Sequence, residues 1–410
     1  MGKTVLVLGG GIGGVVAASR LRKLLGREHR VVLVERAADH LFQPSLLWLM
    51  LGWRTPDQIR RPIARLARRG IDVVRGNVER IDPVRRAVVV NGKSATAPSL
   101  ARGPRTRVPD VPPITSPIGE EQTVDYLVIA LGAELAPEAI PGLAQAGHNL
   151  YSLAGAQALS AARANFQRGR IVLLVTAMPF KCPAAPYEAA MLLEDDGRRR
   201  GVRAAVSIDV YTPEPGPMSV AGPEISKQVR QMVESKGIGY HPEHAVTQVD
   251  AGNKRITFAN GASAEFDLLV YVPPHRAPQV VKEAGLVGPS GWVTVDRATL
   301  ATSFAGVYAI GDVTGIPLAI GKPLPKAGVF AHGQAEVVAR NIAAEINAAP
   351  ASARFLGHGE CFLETGAGRA GMGSGNFYAE PKPRITLKPP GRLLHLGKVL
   401  YEKYWLYRWF

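Results

Sequence analysis

Two cysteines, Cys182 and Cys361, are the only thiols in 410 residues. Two cysteines do not make a structural disulfide framework, and in a reducing compartment a bond between them would be catalytic. Their separation alone does not say that they meet. Lys181 stands beside Cys182, where it either lowers the thiol's pKa or is solvated. Glu188 follows, either a proton carrier or a first-turn acid favoured by a helix dipole. A second chemical pattern opens the chain, where Gly9, Gly11 and Gly14 fit G-x-G-x-x-G between an apolar run and a helical one. Gly9 allows a tight turn, Gly11 lets backbone approach a pyrophosphate, and Gly14 packs helix on strand. The free N–H groups of the new helix would face the phosphates. Glu35 closes the next apolar run, where a carboxylate takes ribose hydroxyls. Strand, glycines, helix, strand and acid in that order predict a dinucleotide site.

The rest of the chain must position these groups. Its length allows two or three domains with their own cores. No run reaches the roughly 18 apolar residues of a spanning helix. The first strand takes up residues 4–8 and leaves no room for a signal peptide, so the expected location is the cytoplasm or the cytoplasmic face of a membrane. A net charge of +15 fits an anionic surface, either a membrane or nucleic acid, or plain solubility. The nine histidines are scattered without metal-ligand spacing, and no metal is expected.

Along the chain, residues 40–53 are apolar and aromatic, and 60–69 resemble one solvated helix face. Residues 87–92 read as a hairpin arm with an Asn-Gly turn, and 94–123 as an exposed loop. Residues 125–132 read as a buried strand, 139–143 as a linker, and 169–175 as the start of a second α/β unit. Residues 186–200 read as a helix with Glu188, Glu194, Asp195 and Asp196 toward solvent. Residues 303–312 read as a late strand ending in Gly311-Asp312, and 326–346 as an alanine-rich helix.

This order resembles the two-dinucleotide-fold flavoproteins of the glutathione-reductase-like class. The shared features are the N-terminal glycines, the strand ending at Gly132, the second βαβ unit and the strand ending at Asp312. The resemblance implies an α/β protein with two Rossmann-like dinucleotide-binding folds. The expected divisions are 1–138 and 290–346 for an FAD-binding domain, 139–289 for a second Rossmann-like domain, and 347–410 for a C-terminal segment contacting quinone and membrane. It implies FAD held by Gly9, Gly11, Gly14, Glu35, Pro44, Gly132, Gly311, Asp312, Lys326 and Ala327. One departure stands out: the second unit's turn, residues 176–188, has no glycine, and no acid closes the next strand, Glu214 coming too late between prolines. A nicotinamide dinucleotide therefore has no bare backbone to meet.

A cysteine stands in that turn instead. Cys182, Tyr187 and Glu188 match the Cys-x-x-x-x-Tyr-Glu pattern of sulfide:quinone oxidoreductases and of the flavoprotein subunit of flavocytochrome c sulfide dehydrogenase. Residues 361–366, Cys-Phe-Leu-Glu-Thr-Gly, resemble the second cysteine segment of those families. The resemblance implies a flavoenzyme that oxidises sulfide at Cys182 and Cys361, with Glu188 moving protons. The same resemblance implies that Cys361 takes the sulfur and Cys182 faces the flavin. No cysteine precedes Cys182, so FAD is expected without a covalent link. Phe362, Phe377 and Tyr378 are candidate quinone-stacking residues. Residues 391–410 place Leu393, Leu396, Leu400, Tyr404 and Tyr407 on one helix face and His395, Lys398 and Glu402 on another, which suits a membrane surface or a packing interface. The expected partners are sulfide, quinone and the membrane, not nucleic acid, with self-association left open. The other readings are an NADH:quinone oxidoreductase on the same fold and a basic flavoprotein that binds nucleic acid.

Overall fold

A computed structural model describes residues 2–94 and 121–410. Most of the predicted 94–123 loop lies outside the described residues. Its two ends are strand.

The first sheet begins with β1 (Thr4–Leu8). It is joined by β2 (Arg30–Glu35), β3 (Asp72–Asp82), β4 (Ala87–Ser94), β5 (Glu121–Thr123) and β6 (Tyr126–Ile129). In the second sheet are β7 (His148–Asn149), β8 (Gly169–Val175), β9 (Val206–Tyr211), β10 (Gly239–His241) and β11 (Leu268–Val272). The late strand β12 (Val307–Ala309) returns to the first sheet, whose order is β12-β6-β1-β2-β3-β4-β5. Its first five strands pair parallel, and β4 and β5 add antiparallel at the edge. The second sheet is parallel throughout, in the order β7-β11-β8-β9-β10. Parallel strands are covered on both faces, which is why β1, β6, β8 and β11 read as unbroken apolar runs. The α/β fold class expected from the sequence is the one observed.

Three local readings need correction. Asn91-Gly92 is no turn: β4 runs through it, with Asn91 opposite Asn77 and Gly92 opposite Gly76. Residues 60–69 form a short strand, Arg60–Pro62, and a 3-10 turn, Ile63–Arg69, rather than an α-helix. In helix α2 (Ala185–Arg199), which follows α1 (Ile12–Leu24), the acids face inward: Glu188, Glu194, Asp195 and Asp196 are all buried. Arginines cover the last three. Arg198 and Arg203 reach Glu194, Arg199 reaches Asp195, and Arg163 and Arg200 reach Asp196.

Helix α3 (Gly328–Ile346) packs on α1 beneath the first sheet. The C-terminal segment is an antiparallel three-stranded sheet, β13 (His358–Gly366), β14 (Arg369–Asn376) and β15 (Arg384–Gly391), followed by helix α4 (Arg392–Arg408). This last helix is inverted. Lys398 and Glu402 are buried, whereas Leu393, Leu396, Leu400, Tyr404 and Tyr407 are exposed, Leu393 at 83% and Tyr407 at 85%. Trp405, Leu406 and Trp409 anchor it in the core of the first domain. His40 ties the anchor to the glycine turn. Its Nδ1 donates to the Gly10 carbonyl at 2.9 Å, and its Nε2 accepts from Trp405 Nε1 at 3.2 Å. Burial holds the imidazole neutral, with its pKa pushed down to about 4.

Glu402 is fixed by Arg54, with nitrogen–oxygen distances of 2.9 and 3.0 Å, and by the Ser45 hydroxyl at 2.6 Å. Removing one member of a buried pair leaves an uncompensated charge. Arg54→Ala should therefore cost about 3 kcal/mol, and Arg54→Leu/Glu402→Leu should recover most of that loss. Urea unfolding followed by tryptophan fluorescence measures both, because Arg54 lies over the Trp48 ring.

Candidate functional site

The glycine turn has the shape of a dinucleotide cradle. Gly9 has a φ of +100°, open to glycine and costly for other residues. A Cβ on Gly14 would lie 1.7 Å from the Gly9 carbonyl oxygen, so helix and strand touch there. A Cβ on Gly11 would meet nothing within 4 Å, so the space beside it is open. The N-cap of α1 is Gly11, and no side chain caps the helix, which leaves its first N–H groups free for phosphate. Glu35 takes hydrogen bonds from the backbone N–H groups of Gly10, at 2.5 Å, and Ala37, at 2.7 Å. Its remaining lone pairs are free to accept ribose hydroxyls.

At the other end of this crevice, Asp312 follows Gly311, whose φ of +75° lets the chain turn after β12. Asp312 is half-buried, and its Oδ1 is fully buried with no hydrogen-bond partner among the described residues. Burial raises its pKa, against the pull of Lys181 and Lys326. An orphaned buried acceptor beside an open cradle is what a ribityl hydroxyl would satisfy. Lys326 Nζ donates to the carbonyls of Asp312, at 2.7 Å, and Thr314, at 3.0 Å, and lies over the Trp292 ring. Burial lowers its pKa to about 7. These residues fit FAD. Gly132, with a φ of +71° and open space around it, ends the neighbouring stretch after β6.

Both cysteines meet at one cavity of about 500 Å³. Its wall contains Pro44, Cys182, Glu188, Asp312, Lys326, Ala327, Cys361 and Phe362, all named from the sequence. Cys182 reaches it through a turn in which Phe180 and Lys181 are buried, so Lys181 is not solvated. The Cys182 N–H donates to the Lys326 carbonyl at 2.6 Å, and the Tyr151 hydroxyl donates to the Cys182 carbonyl at 3.1 Å. With φ at +50°, Cys182 is in the left-handed region, a conformation costing of order 1 kcal/mol outside glycine and found at sites where surrounding contacts enforce it. Cys361 comes from the middle of β13 and is accessible from the cavity, although densely surrounded. A hydrogen bond between the two thiols raises the pKa of Cys182, reinforced by burial, and lowers that of Cys361.

One buried lysine joins this pair to the C-terminal helix. Lys398 Nζ lies 2.9 Å from Glu188 Oε1 and 3.9 Å from Glu364 Oε1. Burial works against its charge, but Glu188, Glu364 and Cys361 outweigh it and raise its pKa. Glu188 also accepts the Glu364 N–H at 2.8 Å, and His395 Nδ1 lies 3.0 Å from Glu364. The chain Glu188–Lys398–Glu364–His395 thus leads from the thiols to a half-buried histidine. Sequence reading found Glu188 but not Lys398 or Glu364. Their signals were a lysine on the polar stripe of an amphipathic helix and an acid three residues after Cys361.

Not every predicted residue gathers here. Phe377 packs edge-on against Phe330, and Tyr378 donates its hydroxyl to the Arg297 carbonyl at 2.9 Å. Neither lines the 500 Å³ cavity, because the turn after β14 carries both back toward Phe355. The aromatic groups that do line it are Phe42, Trp48, Tyr151, Phe362, Tyr401 and Tyr404.

Since Cys361 is the more readily ionised thiol, iodoacetamide should label it before Cys182 in the reduced protein at neutral pH. Lys398 helps to lower the pKa of Cys361, so Lys398→Met should slow that labelling several-fold. Peptide mass spectrometry reads both rates, and preferential labelling of Cys182 would refute the assignment.

Comparison with known proteins follows the same lines. Residues 3–335 match the family described as pyridine nucleotide-disulphide oxidoreductase. The sulfide-quinone reductase of Aquifex aeolicus is 27% identical over 100% of this chain and 91% of its own. The mitochondrial sulfide:quinone oxidoreductase of Mus musculus is 25% identical over 93% of this chain and 82% of its own. The X-ray structure of the Aquifex aeolicus sulfide:quinone oxidoreductase superposes with a TM-score of 0.83 at 24% identity, over 99% of this chain and 91% of that one. The family resemblance read from the two cysteine segments is thus met by independent comparison. The chain belongs to the pyridine nucleotide-disulphide oxidoreductase family, and its cofactor is FAD.

Proposed function

We propose that this protein oxidises sulfide to zero-valent sulfur at Cys182 and Cys361 and passes the electrons through FAD to a membrane quinone. The observation that carries this reading is the meeting of two thiols, from segments far apart in sequence, in the wall that also holds Asp312 and Lys326. Two relatives named for sulfide and quinone support the same substrates. When bound, FAD supplies a two-electron acceptor that a quinone can reoxidise.

The remaining work falls to side chains. In the oxidised enzyme the two cysteines share a disulfide. Hydrosulfide attacks the more accessible sulfur, that of Cys361. A sulfur–sulfur bond forms to Cys361, the bond between the cysteines breaks, and Cys182 leaves as the thiolate with the electron pair. Its backbone bond to Lys326 supports Cys182 as the thiol beside the flavin. Lys398 stabilises the negative charge that appears, and Glu188 is placed to exchange protons with it.

The quinone reading rests on the far wall of the cavity. Leu400, Tyr401 and Tyr404 belong both to this wall and to the exposed stripe of α4. A quinone entering from a bilayer would reach Phe362 and Tyr401 without crossing water. Among the described residues no helix is long and apolar enough to cross a membrane. We therefore assign a peripheral position on the cytoplasmic membrane, with the stripe lying in the interface. The domain divisions expected from the sequence serve this scheme, the first Rossmann-like unit holding FAD and the second presenting Cys182.

The NADH:quinone reading finds little support. In the turn after β8, the buried Phe180 and Lys181 stand where a pyrophosphate would need bare backbone. At the end of β9, Tyr211 stacks on His241 at 4.2 Å and on Phe258 at 5.0 Å, filling the ribose position.

Anaerobic sulfide should bleach the flavin, and NADH should not. In Cys182→Ala, sulfide-dependent bleaching should fall by about 1000-fold or more. Bleaching by NADH, or bleaching that survives Cys182→Ala, would overturn the mechanism. Membrane binding has a separate test. Leu396→Glu/Leu400→Glu withdraws two side chains worth about 1.5–3 kcal/mol each on burial, so partition onto anionic vesicles should drop at least about 100-fold in a flotation assay.

A further inference from the structure

The two thiols stand in a wall shared by two cavities. Behind them, away from α4, lies a smaller chamber of about 90 Å³. Its lining includes Met178, Met218, Ile225, Phe330 and Leu387, all apolar, with Cys182 and Cys361 at one side. Two carboxylates also line it. Glu360 is exposed, but Glu214 is only 2% exposed. Glu214 has no basic partner within ion-pair distance among the described residues. Tyr187 donates to its Oε2 at 2.6 Å, and its own backbone N–H bonds the Thr212 hydroxyl. Nothing in the scheme above uses it.

We propose that Glu214 is the base that takes the proton from dihydrogen sulfide reaching the cysteine pair through this apolar chamber. The inference rests on the sulfide reading given above. Its physical ground is a conflict of requirements. An apolar chamber admits neutral dihydrogen sulfide but penalises the hydrosulfide anion. The disulfide, however, is opened by the anion, not by the neutral molecule. A carboxylate inside the chamber resolves the conflict by generating the anion where it is consumed.

The step balances. Dihydrogen sulfide gives one proton to the Glu214 carboxylate and becomes hydrosulfide. Hydrosulfide forms a bond to Cys361 sulfur, and the Cys182–Cys361 bond breaks. Cys182 departs as thiolate with the electron pair; the two electrons are released when that thiolate and the deprotonated persulfide on Cys361 join through a new sulfur–sulfur bond, for which FAD, when bound, would supply the acceptor and quinone the final oxidant. Glu214 releases its proton to bulk water. Burial raises the Glu214 pKa to about 7, opposed by the Tyr187 hydroxyl, the Ser219 N–H and Lys322. Tyr240, from β10, faces the same carboxyl. A base poised near neutrality suits an acid that ionises near neutrality.

The test is anaerobic stopped-flow reduction of the FAD-loaded enzyme by sulfide between pH 6 and 9, with rates expressed per undissociated dihydrogen sulfide. In the wild type this rate should rise through about pH 7 and level off. Glu214→Gln should abolish the rise and lower the plateau about 100-fold. Glu214→Asp should keep a rise. Tyr187→Phe removes a hydrogen bond that favours the ionised form, so the rise should move to higher pH. A rise of unchanged position in Glu214→Gln, or an unshifted rise in Tyr187→Phe, would overturn the proposal. If sulfide fails to reduce the wild type at any pH, the sulfide reading itself falls, which is a different result.

Discussion

The architecture of the site depends on one buried cation. Lys398 sits in the interior between Glu188 and Glu364, within reach of both cysteine segments. An ammonium in that position is tolerable only because two carboxylates face it, with the Cys361 sulfur beside them. Each partner comes from a different part of the chain: Glu188 from the helix after Cys182, Glu364 from the strand of Cys361, and Lys398 from the last helix. The charge requirement therefore pulls three segments together, and the thiols meet as a consequence. Removing Lys398 would leave Glu188 and Glu364 in a low dielectric without their shared cation.

The same cation explains why the last helix is inverted. Polar residues normally cover a surface helix and apolar ones face the core. Here Lys398 and Glu402 are each claimed by an interior partner, so the apolar stripe has to point outward. An exposed row of leucine and tyrosine costs solubility unless something covers it. A helix whose inner face closes the active site and whose outer face is apolar couples the cavity to whatever covers that stripe, because Leu400, Tyr401 and Tyr404 belong to both.

What could be read in advance follows a physical divide. The glycine cradle was legible because its demands are local: a positive φ at Gly9, a close approach at Gly14, open space at Gly11. The unbroken apolar strands were legible because a parallel sheet is covered on both faces. The inward acids of α2 were not. Glu194, Asp195 and Asp196 carry the pattern of a solvated face, and what buries them is a set of arginines that includes Arg163 and Arg203, outside the helix. Asn91-Gly92 was misread because the dipeptide favours a turn, whereas pairing with Gly76 and Asn77 keeps it extended. Periodicity found the two faces of α4 but carries no sign. It cannot say which face meets the protein, and only the partners of Lys398 and Glu402 decide that.

Glu214 shows the limit from the other side. Read as a ribose-binding acid, it comes too late and lies between prolines. The prolines instead carry it past the end of β9 into the space behind the thiols, where Tyr187 fixes it. Tyr187 and Glu188 are adjacent on α2, and being adjacent on a helix they point in different directions. Tyr187 bonds the acid of the small chamber, while Glu188 bonds the lysine beside the large cavity. One turn of helix after Cys182 thus supplies a proton-handling contact on each side of the cysteine pair. A helix can do this only if its start is rigid, and the bonds from Cys182 N–H to Lys326 and from Tyr151 to the Cys182 carbonyl provide that rigidity.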